Sequence, residues 1–207
     1  MISENVKREL NGLLSDGELG HMTRVGFMVE TLAAKLAGID RKKAKMLGDA
    51  AYYHDVGKIY VPRKILLKRG RLTSDESNLV RMHCVYGQLV LTQMNERVSF
   101  AEEYLNLATA SALYHHERWD GGGYPFGLKA KEIPLLARLT SICDTYDAIT
   151  SVRPYRRGKQ HEQACAELER YAGIQFDPEL VDIFLEHGAE MKTHAAEARA
   201  EPRQPGQ

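Results

Sequence analysis

Apolar residues recur every three or four positions along most of this chain, and no stretch sustains a two-residue alternation. That feature admits helices and supplies no strand pattern from which to build a sheet, so the predicted fold class is all-α. A first helix is expected over 18–37, with Met22, Val25, Val29, Leu32 and Leu36 in one stripe and Gly38 closing it. A second is expected over 41–56, ending at Gly57. Thr73-Ser74-Asp75-Glu76 reads as a capping box that opens a third helix, running to 93. A fourth covers 100–116.

The pattern then breaks at Asp120-Gly121-Gly122-Gly123-Tyr124-Pro125, where glycine and proline both oppose helix. Pro134 begins a helix to 150 from the favoured first position, and 160–171 forms another. Asp177-Pro178 caps a last helix that ends near Gly188. The architecture expected is a single helical bundle of about seven helices over 18–188. Residues 1–17 form an N-terminal extension, too short for a sensor domain, with packing across the site or dimerisation as its available roles. Residues 189–207, polar and carrying Pro202 and Pro205, read as a disordered tail.

Composition narrows the function classes. Of 207 residues, 28 are Lys or Arg and 28 are Asp or Glu, so the formal net charge is zero. A dedicated duplex nucleic-acid or anionic-membrane binder needs a basic excess. Three cysteines without a CxxC pair do not form a disulfide framework, the start of the chain has no apolar signal core, and no run approaches a membrane span. These readings predict a cytoplasmic location.

The eight histidines are the main lead, because five fall on inward-facing stripes. His21 shares the stripe of Val25 and Met28. His54 follows Ala44, Leu47 and Ala51. His83 lies between Leu79 and Tyr86, and His115 and His116 continue Leu105, Ala108 and Ala112. Asp55 adjoins His54, and Asp144 shares a stripe with the small residues Ala137, Thr140 and Ala148. One buried histidine is ordinarily a hydrogen-bonded core residue. Five in one small core each need a partner, and metal coordination satisfies many at once. Helical domains build such sites from side chains on facing helices.

At these residues the sequence becomes recognisable. His54-Asp55-Val56-Gly57-Lys58 resembles the HD motif of the HD phosphohydrolases, and His115-His116-Glu117-Arg118-Trp119-Asp120-Gly121-Gly122-Gly123-Tyr124-Pro125 resembles the HHExxDGxGYP signature of their HD-GYP branch. The segments 65–73 and 144–150 and Arg153-Pro154-Tyr155-Arg156 are similar to that branch too. The resemblance covers 18–188 and implies an HD-domain-type bundle with cyclic di-GMP phosphodiesterase activity, giving linear pGpG, and GMP more slowly, by attack of a metal-bridging hydroxide.

Carried over by position, one divalent ion falls to His21, His54, Asp55 and Asp144, and the other to Asp55, His83, His115 and His116. Asp55 is then the bridge. Iron is the metal the resemblance favours, with manganese as the substitute. Lys58, Arg153 and Arg156 match positions expected at phosphate or guanine, and Tyr124 matches the tyrosine beside the substrate. Lys58 and Asp55 are the expected catalytic pair. Two ions about 3.5–4 Å apart acidify water and neutralise phosphoryl charge, and they make a pocket cationic in a protein of zero net charge.

Four departures qualify the match. Gly17 stands where some relatives carry a glutamate for a third ion, although Glu18, three residues before His21, is expected to face inward. Val152 replaces an aspartate before Arg153. Cys84 follows His83 where proline is frequent, and Tyr52-Tyr53 replace an aliphatic pair and are expected as core residues with partnered hydroxyls. The alternatives to cyclic di-GMP hydrolysis are hydrolysis of another cyclic dinucleotide and a non-catalytic receptor that docks diguanylate cyclase (GGDEF) domains through the GYP loop. A homodimer is compatible with each.

Overall fold

The computed structural model describes residues 10, 12–151 and 158–193. Nine α-helices and two 3-10 segments have both ends among them, with a further helical stretch at 188–193 and no strand, so the all-α expectation holds. Helix α1 spans Asp16–Ala33 and α2 Arg41–Ala51. A 3-10 segment follows at Tyr52–Tyr60. Next come α3 (Arg63–Leu66), α4 (Ser74–Arg81), α5 (His83–Val98) and α6 (Glu102–Tyr114). After a long loop containing the 3-10 turn Ala130–Glu132 come α7 (Leu135–Thr150), α8 (His161–Arg170) and α9 (Pro178–Glu186).

Helix α1 starts where the sequence supplies a cap. The Ser15 hydroxyl accepts from the Glu18 amide, while the Glu18 carboxylate accepts from the Ser15 amide at 2.8 Å. Two amide donors at the helix start are thereby satisfied. The stripe of Met22, Val25, Met28, Val29 and Leu32 is fully buried against α2 and α7. Burial of each such side chain contributes about 1.5–3 kcal/mol. At the far end Asp177 caps α9, and it also pairs with Arg138 of α7.

The elements that differ from expectation surround the HD pair. The predicted helix 41–56 stops at Ala51 and tightens into the 3-10 segment, which packs on α5 and α6. Gly57 makes that packing feasible, since a Cβ there would sit 2.0 Å from the His83 carbonyl oxygen. The predicted single helix from Thr73 to 93 is two helices that meet at Met82. The Thr73 capping box is present, but α4 buries none of its residues, and Leu79 is 40% exposed. The stripe that placed Leu79 beside His83 is therefore incorrect. His83 is buried because the chain turns at Met82 and restarts as α5.

Three smaller expectations shift as well. Helix α1 ends at Ala33 rather than 37. Among the described residues the buried Tyr53 hydroxyl has no hydrogen-bond partner, which differs from the expectation. The predicted tail does not begin at 189. Residues 188–193 are helical, Met191 is fully buried and Glu190 pairs with Lys35 at 2.6 Å. At the other end Leu10 and Leu14 of the extension join the core.

Candidate metal centre

Five helical or 3-10 elements deliver one donor set. His21 comes from α1, His54 and Asp55 from the 3-10 segment, His83 from the first turn of α5, His115 and His116 from the end of α6, and Asp144 from α7. Three of the histidine rings are held by the outer nitrogen through a backbone carbonyl. His54 Nδ1 donates to the Ala51 carbonyl at 3.0 Å, His83 Nδ1 to Val80 at 2.6 Å, and His115 Nδ1 to Ser111 and Ala112 at 2.9 and 3.1 Å. A carbonyl only accepts, so Nδ1 carries the hydrogen and Nε2 of the neutral ring presents a lone pair.

Those Nε2 atoms face one another. His54 and His21 approach to 3.3 Å, and so do His83 and His115. The lone pairs of His83 and His115, directed at each other so closely and away from water, call for a cation, whereas His21 Nε2 is shared with the Asp144 carboxylate. The Asp55 carboxylate stands between the two pairs. Its Oδ2 lies 3.5 and 3.6 Å from His54 and His21, and its Oδ1 lies 3.4 and 3.9 Å from His83 and His115. Asp144 Oδ1 adds a contact of 3.0 Å to His21 Nε2. The His116 ring lies beside His115, tilted by 43° with ring centroids 4.1 Å apart. Two groups of these side chains have donor atoms close enough to hold an ion: His21, His54 and Asp55, and His83, Cys84, His115 and His116. Imidazole with shared carboxylate suits divalent first-row metals, so the residues present fit the ions that the sequence implied.

Electrostatics tune the donors for that task. Burial, reinforced by neighbouring imidazoles, pushes His115 well down and His116 down to about 3. Burial also lowers His83. All three are therefore neutral, the ligating form. His21 is raised to about 9. Burial opposes its protonation, but the hydrogen bonds to Asp144 and Asp147 outweigh it. Burial likewise opposes ionisation of Asp55, yet Lys58 and His54 hold it far below the usual carboxylate range. Lys58 forms a tight ion pair with Asp55 Oδ2 and is raised as a result.

The GYP loop reaches this centre through Glu117, which is buried. Its two carboxylate oxygens accept the Phe126 and Leu128 amides at 2.8 and 3.1 Å. The Tyr124 ring stacks on His116 at 4.9 Å and 23°. Gly123 fits because a Cβ there would lie 2.4 Å from the Arg118 amide nitrogen. The loop is thus a built wall of the site. Tyr124 and Lys58 both lie at the centre, whereas Arg153, Arg156 and Val152 fall outside the described residues.

Two side chains at the centre, Glu117 and Asp147, were not singled out by sequence reasoning, and two that were, Cys84 and Glu18, now have observed surroundings. Glu117 was quoted only as part of a signature. Asp147, fully buried, accepts His21 Nδ1 at 2.7 Å and the fork of Arg24 at 2.7 and 2.9 Å. Its place one turn after Asp144 was the available signal. Cys84 puts its sulfur 3.7 Å from His83 Nε2. Glu18, in contrast, is taken up by Ser15 and by Arg63 at 2.7 Å.

A family model described as an HD domain matches residues 10–180. The chain belongs to the HD domain family. Its HHERWDGGGYP run marks the HD-GYP branch. A cyclic di-GMP phosphodiesterase of Thermotoga maritima is 39% identical over 165 residues, covering 80% of this chain and 43% of the relative. A 3′3′-cGAMP-specific phosphodiesterase of Vibrio cholerae is 37% identical over 167 residues, covering 81% and 31%. The chain spans less than half the length of the curated relatives it matches. Among solved structures, a cyclic GMP-AMP-specific phosphodiesterase of V. cholerae superposes with a TM-score of 0.61 at 17% identity, over 88% of this chain and 49% of that one. That likeness carries the HD fold. No helix among the described residues is long and apolar enough to cross a membrane.

Proposed function

We propose that this HD-GYP chain is a metal-dependent phosphodiesterase that opens cyclic di-GMP to linear pGpG. The observation that carries the reading is the Asp55 carboxylate with one oxygen turned to each of two facing histidine pairs. His21, His54, Asp55 and Asp144 would hold one divalent ion, and Asp55, His83, His115 and His116 the other, with iron favoured and manganese as substitute. When bound, such ions acidify water and neutralise charge on a phosphoryl group.

The chain's own residues supply the rest. The ammonium of Lys58, anchored at Asp55, is placed to donate charge-assisted hydrogen bonds to phosphoryl oxygens. Tyr124 shields one side of His116 and limits water there. Arg153 and Arg156 are proposed as further phosphate or guanine contacts on the strength of the signature alone. In the reaction a water oxygen forms a bond to phosphorus as the P–O3′ bond breaks. The 3′ oxygen leaves as a hydroxyl and the product keeps a 5′ phosphate. Engagement of Glu18 by Ser15 and Arg63 supports two ions rather than three.

Relatives named for cyclic di-GMP at 39% identity and for 3′3′-cGAMP at 37% support a cyclic dinucleotide as the substrate class. A receptor that docks a diguanylate cyclase domain keeps one support, the exposure of Phe126 (63%) on the GYP loop. Protein purified under low oxygen and loaded with iron or manganese is expected to convert cyclic di-GMP to pGpG, followed by chromatography. No product with either metal would leave the receptor reading in its place.

A further inference from the structure

Among the described residues, several cations around the centre are held by carboxylates. Lys58 is paired with Asp55, Arg24 with Asp147 and Arg63 with Glu18. Arg81 is exposed and has no carboxylate partner among the described residues. Its guanidinium lies over the Tyr124 ring, 5.1 Å from the centroid, and that ring stacks on His116. Arg81 is the last residue of α4, and the chain restarts two residues later at His83. The turn at Met82 therefore sets the Arg81 backbone beside the candidate donor His83, and the Tyr124 ring relates its guanidinium to His116. A guanidinium resting on an aromatic face keeps its N–H edge free, directed outward in a plane that matches two phosphate oxygens.

We propose that Arg81 is a substrate-binding residue that receives the second phosphodiester of a cyclic dinucleotide, the one not undergoing cleavage. The inference rests on the phosphodiesterase reading above. A ring of two nucleotides carries two phosphate anions, and the centre formed by the histidines and Asp55 neutralises only one. The other anion needs a cation at the rim, and Arg81 offers one pre-oriented by Tyr124. A single charge-assisted contact of this kind shifts affinity by about one order of magnitude.

The test compares Arg81→Ala with wild type on two substrates, cyclic di-GMP and bis(p-nitrophenyl) phosphate, which has one phosphodiester. The expected result is a KM for cyclic di-GMP raised about tenfold with kcat within twofold, unchanged turnover of the small diester, and unchanged metal content. Arg81→Lys, which keeps the charge, is expected to recover part of the KM. An unchanged KM in Arg81→Ala overturns the assignment. Equal loss on both substrates overturns it too, since it would make Arg81 a support for Tyr124. Wild-type protein that cleaves the small diester and no cyclic dinucleotide would overturn the functional reading, and the Arg81 assignment with it.

Discussion

Asp147 carries two tasks at the residue scale. It orients His21 through Nδ1 and neutralises Arg24, and it does so with no exposure to solvent. A carboxylate behind a ligating histidine fixes the ring and raises its basicity, and loss of such a partner typically costs on the order of 10- to 100-fold in metal affinity. Asp147→Asn keeps the shape while removing the charge. The expected outcome is a metal dissociation constant raised within that range, read by titration with manganese, while the far-ultraviolet spectrum stays helical. An affinity equal to wild type would reduce Asp147 to an anchor for Arg24. Sequence reasoning singled out the candidate donors because a buried imidazole is conspicuous among apolar neighbours. It passed over Asp147 because a carboxylate in a helix is ordinarily solvated, and only the fold places Arg24 and His21 against it.

Elements decide how donors from distant positions meet. The break at Met82 was not legible, since residues 74–93 continue a helical period with no glycine or proline until Gly87. Only tertiary packing shows that α4 faces solvent while α5 enters the core. The 3-10 segment was hidden for a similar reason, as its residues Tyr52–Tyr60 resemble any buried helix turn. Gly57 is the hinge of that packing, and Gly57→Ala forces a methyl group to within 2.0 Å of the His83 carbonyl oxygen. Overpacking of this kind costs about 1–3 kcal/mol or more, so the midpoint of thermal unfolding is expected to fall by several degrees. Unaltered melting would mean that the two segments separate readily.

The loop is the second element-scale device. Its glycines and proline announced a non-helical segment, and Glu117 explains why the segment is nevertheless ordered. Glu117→Ala leaves the Phe126 and Leu128 amides without a partner. Hydrogen exchange at those two amides is expected to accelerate, and stability to fall by about 1–3 kcal/mol. Exchange unchanged at both would show that the loop is held elsewhere.

At the scale of the whole molecule, the histidines make folding and ion binding one problem. Core positions that would otherwise be apolar hold facing imidazole nitrogens and a buried carboxylate, and that arrangement is costly without a cation. Ions that bind the folded chain only should stabilise it by about 2.7 kcal/mol at a hundredfold excess over their dissociation constant. Addition of manganese to chelator-treated protein is thus expected to raise the unfolding midpoint. A midpoint indifferent to metal would deny the coupling. Net charge, zero over the whole sequence, excluded a broad basic surface but said nothing of a compact pocket. Charge that decides function here is local: Lys58, Arg81 and whatever ions the histidines hold.

The central claim is that Asp55 joins two ion sites into one. Metal per chain, counted in wild type and in Asp55→Ala after loading with manganese under low oxygen, tests it most directly. The expected result is two ions per wild-type chain, with Asp55→Ala losing most of both and all turnover. A variant that keeps two ions and its full rate would contradict the account.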